Sequence, residues 1–236
     1  MALALLMASP VRAQSVPYPL NLSGATFLEQ VHSDVITQSG RAERHRTIDR
    51  SARYTTMKHG DTLLVSADSI RLDETADGVR RAVDVDAVIG GRWTLMIDPR
   101  GATSVMEAPF VPGDVADVSD LSLAMDDFFP LVPPPLQPGV RSADSLRRVW
   151  RRLADSAGEQ RYRWSERRHH DGTTTGADSV QVEAVSEVQE DGDAVWNVAR
   201  GPLGWTRHIQ TTVTSRFAGR TVRAVVDQRV VVRRVT

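Results

Sequence analysis

The side chains best suited to chemistry are few and scattered. The six histidines are His32, His45, His59, His169, His170 and His208. His169-His170-Asp171-Gly172 comes nearest to a metal site. A metal needs three or four converging donors, and neighbours in an extended chain point to opposite faces. These three would converge only at a turn, and the stretch reads as an exposed hairpin turn. Asp126-Asp127 is a carboxylate pair of the kind used for acid–base work. Adjacent residues of a helix diverge by about 100°, so the two do not face one another. Asp114, Asp117 and Asp120 recur along one helical side but lack the glycine-bent loop and bidentate glutamate of a calcium hand. They read as a solvated face. Glu190-Asp191-Gly192-Asp193 reads as a turn. No Gly-x-Ser-x-Gly elbow, phosphate-binding glycine loop or His-Glu-x-x-His is present. A dispersed serine, histidine and aspartate set stays open. No catalytic set, cofactor site or metal site is expected.

Composition narrows the class. Of the 236 residues, 41% are hydrophobic and 25% charged, which is too apolar for wholesale disorder. The formal net charge is −1, so the molecule as a whole has no polyanion-binding field and nucleic acid is not an expected partner. Lys58 is the only lysine. Arg147-Arg148, Arg151-Arg152 and Arg167-Arg168 could contact an anionic surface but, with acids interleaved elsewhere, read as ordinary exposed arginines. The absence of cysteine excludes disulfides, thiolate metal sites and cysteine nucleophiles. At the N-terminus an apolar run, Met1 to Ala8, precedes Ser9-Pro10 and then Val11-Arg12-Ala13-Gln14. This is the pattern of an export signal over residues 1–13, with the mature chain starting near Gln14. The expected location is periplasmic or secreted. No segment has the roughly 20 apolar residues of a membrane helix, so the chain is not expected to span a membrane.

Most of the chain carries strand signals. Phe27, Val31 and Val35 fit one strand face and also a helical stripe; Val, Ile and Thr at the end favour strand. Arg46 to Met57 is a polar strand, His59-Gly60-Asp61 a turn, and Thr62 to Asp73 a further strand. Ala76-Asp77-Gly78 turns, and Val83, Val85 and Ala87 alternate as in a strand. Trp93 to Ile97 and Ala102 to Met106 flank the turn Asp98-Pro99-Arg100-Gly101. In the second half, strands are expected at Gln160 to Arg167, Asp178 to Val185, Ala194 to Val198, Trp205 to Phe217 and Thr221 to Val235. Turns separate them at His169–Gly172, Gln189–Asp193, Gly201–Gly204 and Ala218–Arg220. Ser142 to Leu153 fits a short helix or a strand.

Between the halves the texture changes. Val115, Val118, Leu121, Ser122, Met125 and Phe129 recur at helical spacing, so Asp114–Phe129 is expected to form an amphipathic helix stopped by Pro130. The proline-rich run to Gly139 is too apolar for a solvated linker, and residues 114–139 are expected to form a strap packed on the sheet. Residues 24–110 and 141–236 then look like one pattern written twice. Ala67–Asp73 matches Ala177–Glu183, and the same alignment lays His59 on His169 and Asp61 on Asp171. Tyr54 and Tyr162, Trp93 and Trp205, and Gly101 and Gly219 follow in the same order. The expected architecture is a mainly β domain over residues 14–236, an antiparallel curved sheet or open barrel of two repeated meanders.

Thr94-Leu95-Met96-Ile97-Asp98-Pro99-Arg100-Gly101, followed by Phe129-Pro130 through Pro138-Gly139, resembles a family of exported bacterial β-rich proteins of unknown function. Such chains often carry Asp-Ser-Trp after Pro-Gly, where this one has Val140-Arg141-Ser142. The resemblance implies no catalytic residues. A looser similarity is to periplasmic lipoprotein carriers, in which a curved sheet and a helical lid enclose an apolar cavity. On that similarity Val118, Leu121, Met125, Phe128 and Phe129 are the expected lid residues facing a ligand. The first functional reading is an exported non-catalytic protein that binds an apolar small molecule, a lipid or an envelope protein. An exported hydrolase with a dispersed site and a purely structural interaction module are the alternatives.

Overall fold

The computed structural model describes residues 21–60, 62–98, 102–126, 128–144, 148–175 and 181–235. The export signal, Asp61, Pro99–Gly101, Asp127 and Ala177–Val180 of the repeat lie outside them.

The chain is built on one antiparallel sheet that stays open. Its first half supplies β1 (Thr26–Ser39), β2 (Ala42–His59), β3 (Thr62–Ala76), β4 (Val79–Val83), β5 (Arg92–Ile97) and β6 (Thr103–Glu107). Its second half supplies β7 (Arg141–Ala143), β8 (Val149–Arg152), β9 (Gln160–Thr175), β10 (Gln181–Asn197), β11 (Gly201–Phe217) and β12 (Arg220–Val235). The spatial order is β6-β5-β3-β2-β1-β12-β11-β10-β9-β8-β7, with β4 pairing the far end of β3. The first and last strands therefore meet in the middle, along a register from Thr26↔Val235 to Ser39↔Val222. No local signal dictates that pairing. It joins two meanders that would each leave a bare edge.

Alternation explains why these residues make strands. On β10 the even-numbered side chains from Val182 to Trp196 are sheltered, and the odd-numbered ones stand nearer solvent. Gly60 and Gly219 turn hairpins at φ 59 and 73, the left-handed region that favours glycine. β3 bulges next to Tyr54 and β11 next to Trp196, so each strand recovers its buried face after an extra residue.

Five local expectations need correction. Asp114–Phe129 is not one helix: α1 spans only Gly113–Ala116, and a 3-10 turn follows at Leu121–Leu123. The Asp120 carboxylate accepts from the Ser122 N–H at 3.1 Å, a local bond that competes with helix. The apolar spacing arises because the strap presses residues along its length onto the sheet. His169–Gly172 is not a turn but part of β9, paired with Glu187 to Ala184. Gln189–Asp193 is the middle of β10, and Gly192 serves packing there rather than a bend. Gly201–Gly204 opens β11, and the turn lies one step earlier, where Asn197 Oδ1 accepts from the N–H groups of Ala199 and Arg200 at 3.0 and 3.1 Å. Beyond Val83 the chain leaves the sheet, because Asp84 accepts from the Asp86 N–H and folds the segment back, burying Val85 and Val88.

Candidate functional site

The strap crosses one face of the sheet, here the inner face, and divides it into three tiers. The base tier lies under the strap. Phe128 packs edge-on against Phe27, Tyr54, Phe129 and Trp205, with ring centres 6.2, 5.4, 4.9 and 5.5 Å away. Val118, Leu121, Met125, Phe128 and Phe129 are all buried and join one core with Trp93, Leu95 and Val232. The expected lid residues thus sit at the sheet-facing side of the strap. None of them lines the grooves described below. Arg46 and Arg50 reach the strap from β2, at Asp117 O (3.0 Å) and Ser119 Oγ (3.4 Å).

The middle tier is a belt of buried charge. Arg207 on β11 grips Glu190 on β10 with two bonds of 2.9 and 3.0 Å. Trp164 on β9 donates its indole N–H to the same carboxylate at 3.0 Å. Next to it Arg148 pairs with Glu166 at 2.8 Å and stacks on Trp150 and Trp164, 5.8 and 5.7 Å from their ring centres. Burial opposes ionisation of Glu190, but the charge and hydrogen bonds of Arg207, the charge of Arg148 and the Trp164 bond outweigh it. Its carboxyl is held below the ordinary range. In the first half, Glu29 on β1 is gripped by Arg50 with two bonds of 3.0 Å. Burial disfavours the Arg50 charge, yet Glu29 keeps its pKa raised, and burial together with the Glu29 charge pushes the Tyr54 phenol far above its usual value.

The third tier is the far half of the long strands. There the inner face is made by Val182, Ala184 and Val188 of β10, Val213 and Phe217 of β11, and Val222, Ala224 and Val226 of β12. Ser186, Thr211 and Ser215 interrupt it. All of these are half-buried. None belongs to the core under the strap, and among the described residues no helix or strand packs over them. On the outer face at the same height stand Glu183, Glu187, Arg216 and Arg223, with Val185 and Val225 between them. In this tier, short of Arg220 at the tip, the inner face of β10, β11 and β12 carries no charged side chain, whereas the outer face carries these four charges.

The outer face is mainly polar, with Leu28, Val185 and Val231 among its side chains. Grooves of about 640 and 460 Å³ run along it, the first around Gly204, Arg163 and Arg233, the second around Gln30, Asp49 and Arg229. His32 Nδ1 meets Asp49 at 2.7 Å and His208 Nε2 meets Asp227 at 2.9 Å. The Asp49 bond outweighs burial and raises the His32 pKa. His169 and His170 alternate on β9, so they point to opposite faces, across from Glu187 and Ser186. Asp114, Asp117 and Asp120 lie on the strap, and no group of three His, Asp or Glu among the described residues is arranged to hold a metal. No helix among them is long and apolar enough to cross a membrane.

Sequence reasoning missed the belt and the uncovered face. Glycine inside a strand pattern at Gly192 was the available signal for close packing. The valine-rich alternation of β12 was visible as strand, but not as an uncovered one.

Neither a protein-family model nor a curated protein matches the chain. Among solved structures the fold is similar to that of lipovitellin, in a structure concerned with lipid–protein interactions. The TM-score is 0.55 at 7% identity, over 92% of this chain and 25% of the other. The chain thus spans about a quarter of the length of that protein, and at this identity the likeness is one of fold.

Proposed function

We propose that the protein is a non-catalytic carrier or binder of an apolar ligand, of the lipid class, held on the uncovered inner face. The carrying observation is the apolar tier formed by β10, β11 and β12 beyond the buried charged belt. Valines, alanines and a phenylalanine on an open sheet face cost free energy in water, and a contiguous patch of this kind marks a binding surface. Six residues of strand extend over roughly 20 Å, which matches an extended acyl chain laid along the sheet. The fold likeness to lipovitellin is consistent with this use of an antiparallel sheet. In this reading Val118, Leu121, Met125, Phe128 and Phe129 anchor the strap as the closed end of the site, and the belt separates ligand from core.

The N-terminal run Met1 to Ala13 supports export, and a cysteine-free chain suits a periplasmic or secreted binder. Fractionation of the native host and N-terminal sequencing test this directly, with a mature end near Gln14 expected. The ligand reading is tested by organic extraction of the purified protein with mass spectrometry, and by titration with a fluorescent fatty acid. The expected result is a co-purified apolar molecule and saturable probe binding that Val213→Asp and Val226→Asp abolish. A protein that yields no apolar molecule and binds no probe would sink the proposal.

A further inference from the structure

We infer that the far tip of the sheet docks on an anionic lipid surface, so that the apolar tier opens directly onto a membrane. The inference rests on the proposed lipid site and assigns it a partner.

Two hairpin ends form this tip. The turn between β1 and β2 is made at Gly40 and the one between β11 and β12 at Gly219, with φ 60 and 73. They are neighbours, because Ser39 pairs with both Ala42 and Val222, while Phe217 pairs with Arg220. Four adjacent strands about 4.8 Å apart bring both turns within roughly 15 Å. Arg41, Arg44, Arg216, Arg220 and Arg223 all stand exposed here. Among the described residues none of the five is in an ion pair with an acid. The acids near them among the described residues are Glu43, bound by Gln38 at 2.7 Å, Asp77, in the turn after Ala76 beside the Arg44 end of β2, and Glu183, across from Arg216 on β10. The tip is therefore strongly basic on a chain whose formal net charge is −1.

Charge type and placement point to lipid phosphates. Guanidinium groups bind phosphate through paired donors. Arg44 and Arg220 share the inner face with Phe217, so phosphate contacts and the mouth of the apolar tier lie side by side. A clustered basic tip beside an apolar surface fits the interface of an anionic bilayer. A soluble polyanion would use the arginines but not the apolar tier.

Co-sedimentation tests this, with vesicles of phosphatidylcholine containing one third phosphatidylglycerol and with vesicles of phosphatidylcholine alone. Binding is expected only to the anionic vesicles and is expected to weaken steeply between about 0.05 and 0.5 M salt. The variant Arg41→Glu/Arg220→Glu/Arg223→Glu is expected to lose about a hundredfold in vesicle affinity, at roughly fivefold or more per reversal. Arg92→Glu/Arg151→Glu/Arg161→Glu makes the same charge change at the strap end and is expected to bind as the parent does. Circular dichroism melts show whether each variant is folded. Absence of binding by the parent chain, equal binding by a folded tip variant, or equal capture by heparin would each overturn the inference. Fatty-acid probe binding in the same samples reports on the apolar tier alone. Its failure with vesicle binding intact removes the ligand reading and leaves the docking; retained probe binding with no vesicle binding does the reverse.

Discussion

The six-membered ring of Trp164 covers the backbone of Gly192, its cross-strand partner, in the space where a side chain would stand. The same indole donates to Glu190, two residues along β10. A glycine that looks like a turn residue is thus a seat for tryptophan. Gly192→Ala would place a Cβ inside the ring, and overpacking of this kind costs about 1–3 kcal/mol. A fall in urea midpoint is expected, with weakened Trp164 fluorescence shielding as the second readout.

The belt should show strong coupling. Glu190→Gln leaves Arg207 sheltered without its counter-charge, which costs about 3–5 kcal/mol. The double variant Glu190→Gln/Arg207→Met removes both charges and is expected to recover much of that loss. A double-mutant cycle in urea measures it. Additive losses would show that the pair is not a unit.

Acid should weaken the same belt. Glu190 has a folded pKa below its ordinary value, so its contribution is present above the unfolded pKa and is lost as pH falls through the folded one. Urea midpoints are expected to drop below about pH 4, and the drop should be smaller in the Glu190→Gln/Arg207→Met variant. The outer-face His32 has the opposite sign. Its raised pKa makes its contribution complete below the unfolded value and lost as pH rises through the folded one. The stability difference between the parent and His32→Asn is therefore expected to shrink on the alkaline side. The pair is half-exposed, so the change is small.

The strap is held by rings. Phe128→Ala removes contacts to Phe27, Tyr54, Phe129 and Trp205 and is expected to cost about 3–5 kcal/mol. Amide exchange should show faster opening of the strap than of the central strands β1 and β12. Uniform exchange across both would contradict the placement of Phe128 as an anchor.

Much of the fold was legible because it is local. Glycine turns at Gly60, Gly78 and Gly219, the two-residue alternation of β2 and β3, and the apolar Phe128-Phe129 before a run of prolines can all be read from neighbours in the chain. An antiparallel, mainly β protein with a packed strap follows from them. What failed was also local in origin. Helical spacing in Asp114–Phe129 is shared by a chain pressed onto a sheet, and a charged, glycine-containing run at Gln189–Asp193 looks like a turn until its partners appear. Trp164 and Arg207 reach Glu190 from the strands before and after it, and Arg148 from further back, so the belt depends on the cross-strand register that brings them together. The meeting of β1 with β12 depends on distant residues. So does the length of strap available to cover the inner face, which leaves Val213, Phe217 and Val226 outside the core. Sequence alone determined which residues alternate; tertiary structure decided which alternating face was left uncovered, because cover depends on what else reaches that face.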